Sequence, residues 1–177
     1  MSNTGCKKDG KQGEQGPPGT ANVRYSEWFT PAQYQSNMVF GIRNFSFDKP
    51  VTEISQAIID SGTVLTFGKM LGYSSSIWPV DRTAQLPILL TYVQSGTSQT
   101  DTWSAFVTPG NLRINFTNSV NTYTAIATTH QFRYIIIPGG QKVGKSSNGK
   151  SISLKQRESN FNQLSYQEIC RMFNIPE

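Results

Sequence analysis

The chain has 177 residues, room for one compact domain with short appendages and a tight fit for two. Its hydrophobic (36%) and charged (15%) fractions are both low, with Ser, Thr, Asn, Gln and Gly filling the difference, which argues against an intracellular enzyme and for an all-β extracytoplasmic domain. The net charge of +5 sits outside the central region: residues 1–22 carry three Lys against two acids, 138–177 six basic groups against three acids, and 23–137 seven against six, so no nucleic-acid partner is expected.

In the first segment, residues 1–22, only Met1, Cys6 and Ala21 are apolar, so it has nothing to contribute to a core. Gly10, Gly13, Gly16 and Gly19 recur every third residue, the collagen period, which exists because only Gly fits at the axis of three polyproline-type strands. Four triplets fit two readings: an extended, solvated spacer, or a homotrimeric triple helix if more triplets or a trimerising neighbour are supplied.

From Val23 onward the pattern is strands and turns. Apolar, β-branched or aromatic runs predict strands over 39–47, 63–71, 86–93, 102–107, 112–116 and 131–137. Turns are predicted at Asp48-Lys49-Pro50, Ser95-Gly96, Pro109-Gly110-Asn111 and Pro138-Gly139-Gly140, with Pro109-Gly110 as the central pair of a type II turn. Ile54, Ala57 and Ile58 are spaced for one face of a two-turn helix that Gly62 ends. Residues 141–160 form a polar Gly/Ser/Lys-rich connection. The chain closes on a helix opened by the capping box Ser165-Tyr166-Gln167-Glu168 and carrying Ile169, Met172 and Phe173 on a face that docks. The predicted fold is therefore mostly β, an antiparallel β-sandwich or jelly-roll-like domain over 23–140 with a short interior helix, followed by a C-terminal helix in 161–177 that packs on the domain.

Chemistry-bearing patterns are sparse. His130 has no Gly-x-Ser-x-Gly elbow or nucleophile paired with it in sequence, and it is expected as a hydrogen-bonded strand end. Asp60, Asp81 and Asp101 are separated single acids, without the close pairing of glycoside hydrolysis or calcium ligation. Two distant thiols and one His offer no metal-ligand spacing, so no metal or cofactor is expected, and Cys170 is expected as a small buried hydrophobe. The aromatics Trp28, Trp78, Trp103, Tyr73, Tyr92, Tyr123 and Tyr134 are candidates for a sugar-stacking platform, with Trp78 and Tyr73 as ligand contacts. Against this, aromatics at alternate strand positions usually fill a core, which is the expectation for Trp103.

Gly5-Cys6-Lys7-Lys8-Asp9 resembles the start of a mature bacterial lipoprotein, with a small residue before the cysteine and a Lys-and-acid cluster after it. Asn3 stands where such signals usually carry Leu, and the alternative for Cys6 is a free thiol in a solvated tail. Together with the Gly-x-y spacer, the segments Gly19-Thr20-Ala21-Asn22-Val23, Trp28-Phe29, Ser76-Ile77-Trp78-Pro79, Pro109-Gly110-Asn111-Leu112-Arg113-Ile114, His130-Gln131-Phe132-Arg133-Tyr134 and Tyr166-Gln167-Glu168-Ile169-Cys170 give a chain that resembles a group of Bacteroidetes collagen-like surface lipoproteins. The resemblance implies lipidation at Cys6, a membrane partner through that anchor and a place on the outer membrane or cell surface. It carries no activity. The function expected is a structural or adhesive module without catalysis, or alternatively a carbohydrate-binding module using exposed aromatics, with a glycan or other cell-surface component as partner.

Overall fold

The computed structural model describes residues 22–139 and 161–177. Cys6, the four glycines of the Gly-x-y stretch and the connection 141–160 lie outside the described residues. Among these residues, nine strands and two helices follow in chain order: β1 (Arg24–Tyr25), β2 (Gln35–Val39), β3 (Ile42–Pro50), α1 (Gln56–Ser61), β4 (Thr63–Lys69), β5 (Ala84–Gln85), β6 (Ile88–Gln94), β7 (Thr97–Thr108), β8 (Asn111–Asn118), β9 (Gln131–Ile137) and α2 (Tyr166–Phe173). Strands β1-β9-β4-β5 form one antiparallel sheet and β2-β3-β8-β7-β6 the other, giving the expected β-sandwich.

Strand periodicity explains the layers. In β9, Phe132 and Ile136 point between the sheets, while Ile135 and the partly buried Ile137 point the other way, against α2. Both faces of this strand are therefore covered, and its near-continuous apolar run follows from that. The inter-sheet core gathers Phe45, Leu90, Trp103, Leu112, Ile114, Phe116 and Phe132. A second core lies outside the four-stranded sheet, where Leu65, Phe67 and Ile135 meet Tyr166, Ile169, Cys170 and Phe173.

The helix α2 forms as its capping box predicts: Ser165 Oγ accepts from the Glu168 amide, and Glu168 accepts from the Ser165 amide. The buried stripe is Tyr166, Ile169, Cys170 and Phe173, at the i, i+3, i+4, i+7 spacing of one helix face. Met172 was expected on that stripe and is instead 39% exposed. Its place is taken by Cys170, which is buried, because the stripe follows from Tyr166 rather than from Ile169.

Three further elements refine the sequence reading. Asp48-Lys49-Pro50 is strand, not turn, and Asp48, Lys49 and Pro50 pair with Arg113, Leu112 and Asn111 of β8. Strand β2 stops pairing at Ser46, so the far side of β3 is an open edge there, and Pro50 gives up no ladder bond. At the β7–β8 hairpin Gly110 has φ +78°, as position i+2 of a type II turn requires. At Gly62, φ is −102°, and a Cβ would sit 2.8 Å from the Ile137 carbonyl oxygen and 2.9 Å from that of Ile58. Glycine ends α1 because the chain passes close to β9, with no left-handed residue involved.

The two ends of the sandwich differ. Helix α1 closes one, where the Gly110 amide donates to the Ile54 carbonyl at 2.7 Å. At the other, the connections 70–83 and 119–130 come together where Lys69 of β4 pairs with Gln131 of β9.

Candidate functional site

Two features stand out, one at the loop end of the sandwich and one on the open face of the five-stranded sheet.

At the loop end, the alternation of β7 turns Gln99, Asp101 and Trp103 inward. Asp101 is fully buried, and its carboxylate accepts hydrogen bonds from Tyr73 (2.7 Å), Tyr92 (2.8 Å), Tyr123 (3.1 Å) and Asn118 Nδ2 (2.7 Å). The hydroxyls of Tyr92 and Tyr123 also lie within hydrogen-bond distance of each other, so their two protons are shared among three contacts, and Trp103 Nε1 donates to the Tyr73 hydroxyl at 3.0 Å. Asn118 fixes the connection above, its Oδ1 accepting from the amides of Val120 and Thr122 at 3.0 Å. Burial, with the Asp101 carboxylate acting in the same direction, raises the three phenols above the ordinary tyrosine range, so they remain donors.

Beside this network lies a cleft of about 210 Å³ lined by Tyr73, Trp103, Phe116, Tyr123, Ala125–Ala127 and His130. His130 sits immediately before β9, buried, its ring 4.7 Å from that of Trp103 and its Nδ1 accepting from the Gly72 amide at 3.4 Å. It is a hydrogen-bonded strand end, as its sequence context suggests. Burial lowers its pKa to about 4, against an opposing pull from Asp101, so the imidazole is neutral at physiological pH.

Among the described residues no element covers the outward face of the five-stranded sheet, whereas α2 covers the outer face of its partner sheet. Register aligns the outward residues in rows across the strands: Gln35, Ser46, Asn115 and Ser104 in one, Asn37, Asn44, Thr117 and Thr102 in the next. A groove of about 400 Å³ lies over their β2, β3 and β8 end, lined among others by Gln35, Asn37, Asn44, Arg113 and Asn115. The flanking row is Asp48, Arg113 and Phe106. Asp48 takes Arg113 Nε and Nη2 at 2.8 Å each, which holds the carboxyl below its usual range, and Phe106 leaves 56% of its surface exposed. Half-exposed on both sides, this ion pair orders the two side chains more than it stabilises the fold.

The structure corrects the sugar platform expected from Trp78. Its indole is 2% exposed, because residues 74–82 fold on themselves, its Nε1 donates to the Arg82 carbonyl at 3.0 Å, and the Arg82 guanidinium lies 4.5 Å over the ring. With its one polar atom satisfied, the ring fills core. Trp103 is fully buried, and Tyr73 lies half-buried on the cleft, its hydroxyl turned towards Asp101. Asp101 is the residue that spacing along the chain misses. The available signal was its parity, since Gln99 and Asp101 share the inward phase of β7 with Trp103. Phe106 was likewise not singled out.

Comparison with known family models, with curated proteins and with solved structures found no match.

Proposed function

We propose that the chain is a non-catalytic adhesive or structural module of the bacterial cell surface, held by a lipid on Cys6, spaced from the membrane by its Gly-x-y stretch and engaging a glycan through its open sheet face. One observation carries the reading: one sheet is covered by a helix, while the other presents two rows of amide and hydroxyl side chains across β2, β3, β8 and β7, with no described element over them. Amides and hydroxyls each donate and accept, which suits a partner whose own hydroxyls do both. The exposed ring of Phe106, in register with Arg113, adds an apolar face for a sugar ring, a more favourable position than the buried Trp78.

The experiment is a glycan-array and cell-adherence assay of the chain with the variants Phe106→Ala and Asn115→Ala, both outward-facing and removable without disturbing the core. Glycan capture that falls about tenfold in each variant, with an unchanged thermal melt, supports the reading. Capture unaffected by both variants overturns it. The anchor is tested separately: with an export signal supplied, the chain incorporates labelled fatty acid and partitions into detergent, and Cys6→Ser abolishes both.

A further inference from the structure

We infer that the β2–β3 hairpin is a membrane-docking tip, which enters the interfacial layer of a lipid bilayer with Met38, Val39, Phe40 and Ile42. The inference stands apart from the anchor on Cys6 and from the open sheet face.

The hairpin closes on a two-residue loop: Val39 pairs with Ile42, and Phe40 and Gly41 between them have φ of +48° and +82°. Two positive φ values mark a type I′ turn, where Asn or Gly suits the first position and a bulky residue crowds its own carbonyl. The molecule holds an internal comparison. The β6–β7 hairpin turns in the same way between Gln94 and Thr97, with Ser95 and Gly96 at φ +50° and +77°. There the first position is small and polar, whereas Phe40 is 102% exposed, its ring wholly in solvent. Neither folding nor solubility gains from Phe40, and a strained residue that the fold does not use points to function.

The tip is apolar on every side. Strand alternation sends Val39 and Ile42 to the outward face of the sheet and Met38 to the opposite face, with Phe40 beyond the end, and all four side chains are exposed. A protein partner covers one face of a hairpin, whereas a lipid phase surrounds it. Behind the tip the chain turns polar within one residue pair, with Asn37 and Asn44 on the outward face and Arg43 on the other. From this level to Phe40 is about 10 Å at the rise of a strand, which matches the roughly 5–10 Å to which interfacial segments bury their apolar side chains. Arg43 is the one charged residue within 36–43 and 119–130 at neutral pH, where His130 is neutral. It stands where lipid phosphates would meet it, with no acid nearby in those segments to be repelled.

The turn is also braced for a medium poor in water. Asn121 Nδ2 donates to the Gly41 carbonyl at 2.7 Å and its Oδ1 accepts from the Arg43 amide at 2.7 Å, which satisfies backbone groups that would otherwise resist insertion. Next to Asn121, Val120 adds a further exposed apolar side chain.

The test is sedimentation of the full chain carrying Cys6→Ser, which cannot take a lipid, with vesicles of phosphatidylcholine and phosphatidylglycerol. The chain is expected in the vesicle pellet. Phe40→Asn installs the residue that a type I′ turn prefers, so it should weaken partitioning about tenfold while the thermal midpoint stays equal or rises. Met38→Ser and Ile42→Ser, on opposite faces, should each weaken it about threefold, and Ser95→Asn in the second hairpin should leave it unchanged. Absence of the chain from the pellet, unchanged partitioning in Phe40→Asn, or a loss confined to one of the two faces overturns the proposal. A lower thermal midpoint in Phe40→Asn also overturns it, by making Phe40 a structural residue. Self-association in gel filtration that Phe40→Asn abolishes, without vesicle binding, overturns it in favour of a second copy of the chain.

Discussion

Arg133 Nη1 of β9 lies 2.5 Å from the hydroxyl of Tyr166 in α2, 33 residues further along the chain, and this contact ties the C-terminal helix to the centre of the four-stranded sheet. The guanidinium is buried, and it also donates to the carbonyls of Ser26 and Pro176, so the positive charge is met by fixed dipoles from three separate segments. Burial raises Tyr166 to about 12, keeping its hydroxyl protonated beside Arg133, while its ring packs 5.1 Å from Phe67.

The helix so anchored belongs to its own domain. Phe173→Ala should cost about 3–4 kcal/mol, since the ring is 4% exposed and packs against Phe161 within the outer core. Urea unfolding at two protein concentrations tests this. An equal loss at both is expected, and a loss that shrinks at high concentration would instead assign the helix face to an oligomer contact. Met172→Ala, on the exposed side, should change stability by about 0.5 kcal/mol or less.

Removing the carboxylate of Asp101 should destabilise more than removing any one of its donors. Asp101→Ala removes the acceptor that three phenols and an amide share, leaving Tyr92 and Tyr123 only each other and Asn118 Nδ2 only Gln99 Oε1, and should cost about 3 kcal/mol, against about 1 kcal/mol for Tyr92→Phe. Denaturant midpoints of the two variants, compared with the parent chain, test the ranking. Equal losses would mean that water replaces the carboxylate.

His130 gives the fold an acid-sensitive window. Its folded pKa of about 4 lies below the ordinary value of 6.5, so the unfolded chain binds more protons between these limits and stability falls as pH drops through them. The full loss is about 3 kcal/mol across the window. The lowered carboxyls of Asp48 and Glu168 lose their contributions only below their ordinary values of 3.8 and 4.5. The interval from 6.5 to 4.5 therefore reports on His130. In His130→Gln the urea midpoint should be flat over that interval, and a slope equal to the parent's would assign the effect elsewhere.

Gly62→Ala should destabilise by about 1–3 kcal/mol although its φ of −102° suits any residue. The cost comes from the methyl meeting the Ile137 and Ile58 carbonyls, backbone atoms that cannot move aside singly. A calorimetric melt unchanged by the substitution would show that α1 shifts freely against β9.

The periodicities of 131–137 and 112–116, the Pro109-Gly110 turn and the Ser165-Glu168 capping box were legible in the sequence because each depends on neighbours a few residues away. The sandwich followed from them. The polar strand β2 was not legible: its five residues are all exposed, and it is a strand because β3 offers an edge. The strand status of Asp48-Lys49-Pro50 was hidden for a similar reason, since residues that open a turn in isolation are held extended by Arg113, 65 residues away in sequence. The candidate sites lie furthest from sequence reasoning. Tyr73, Tyr92, Asp101 and Tyr123 read along the chain as scattered aromatics and a single acid, and they converge because strand parity turns Asp101 inward while two connections fold over the same end of the sandwich. Local patterns thus determined which segments are strand, turn or helix. Only tertiary packing decided which face stays open, which aromatics are buried and which carboxylate lies behind the cleft, because burial depends on what the rest of the chain lays over a residue.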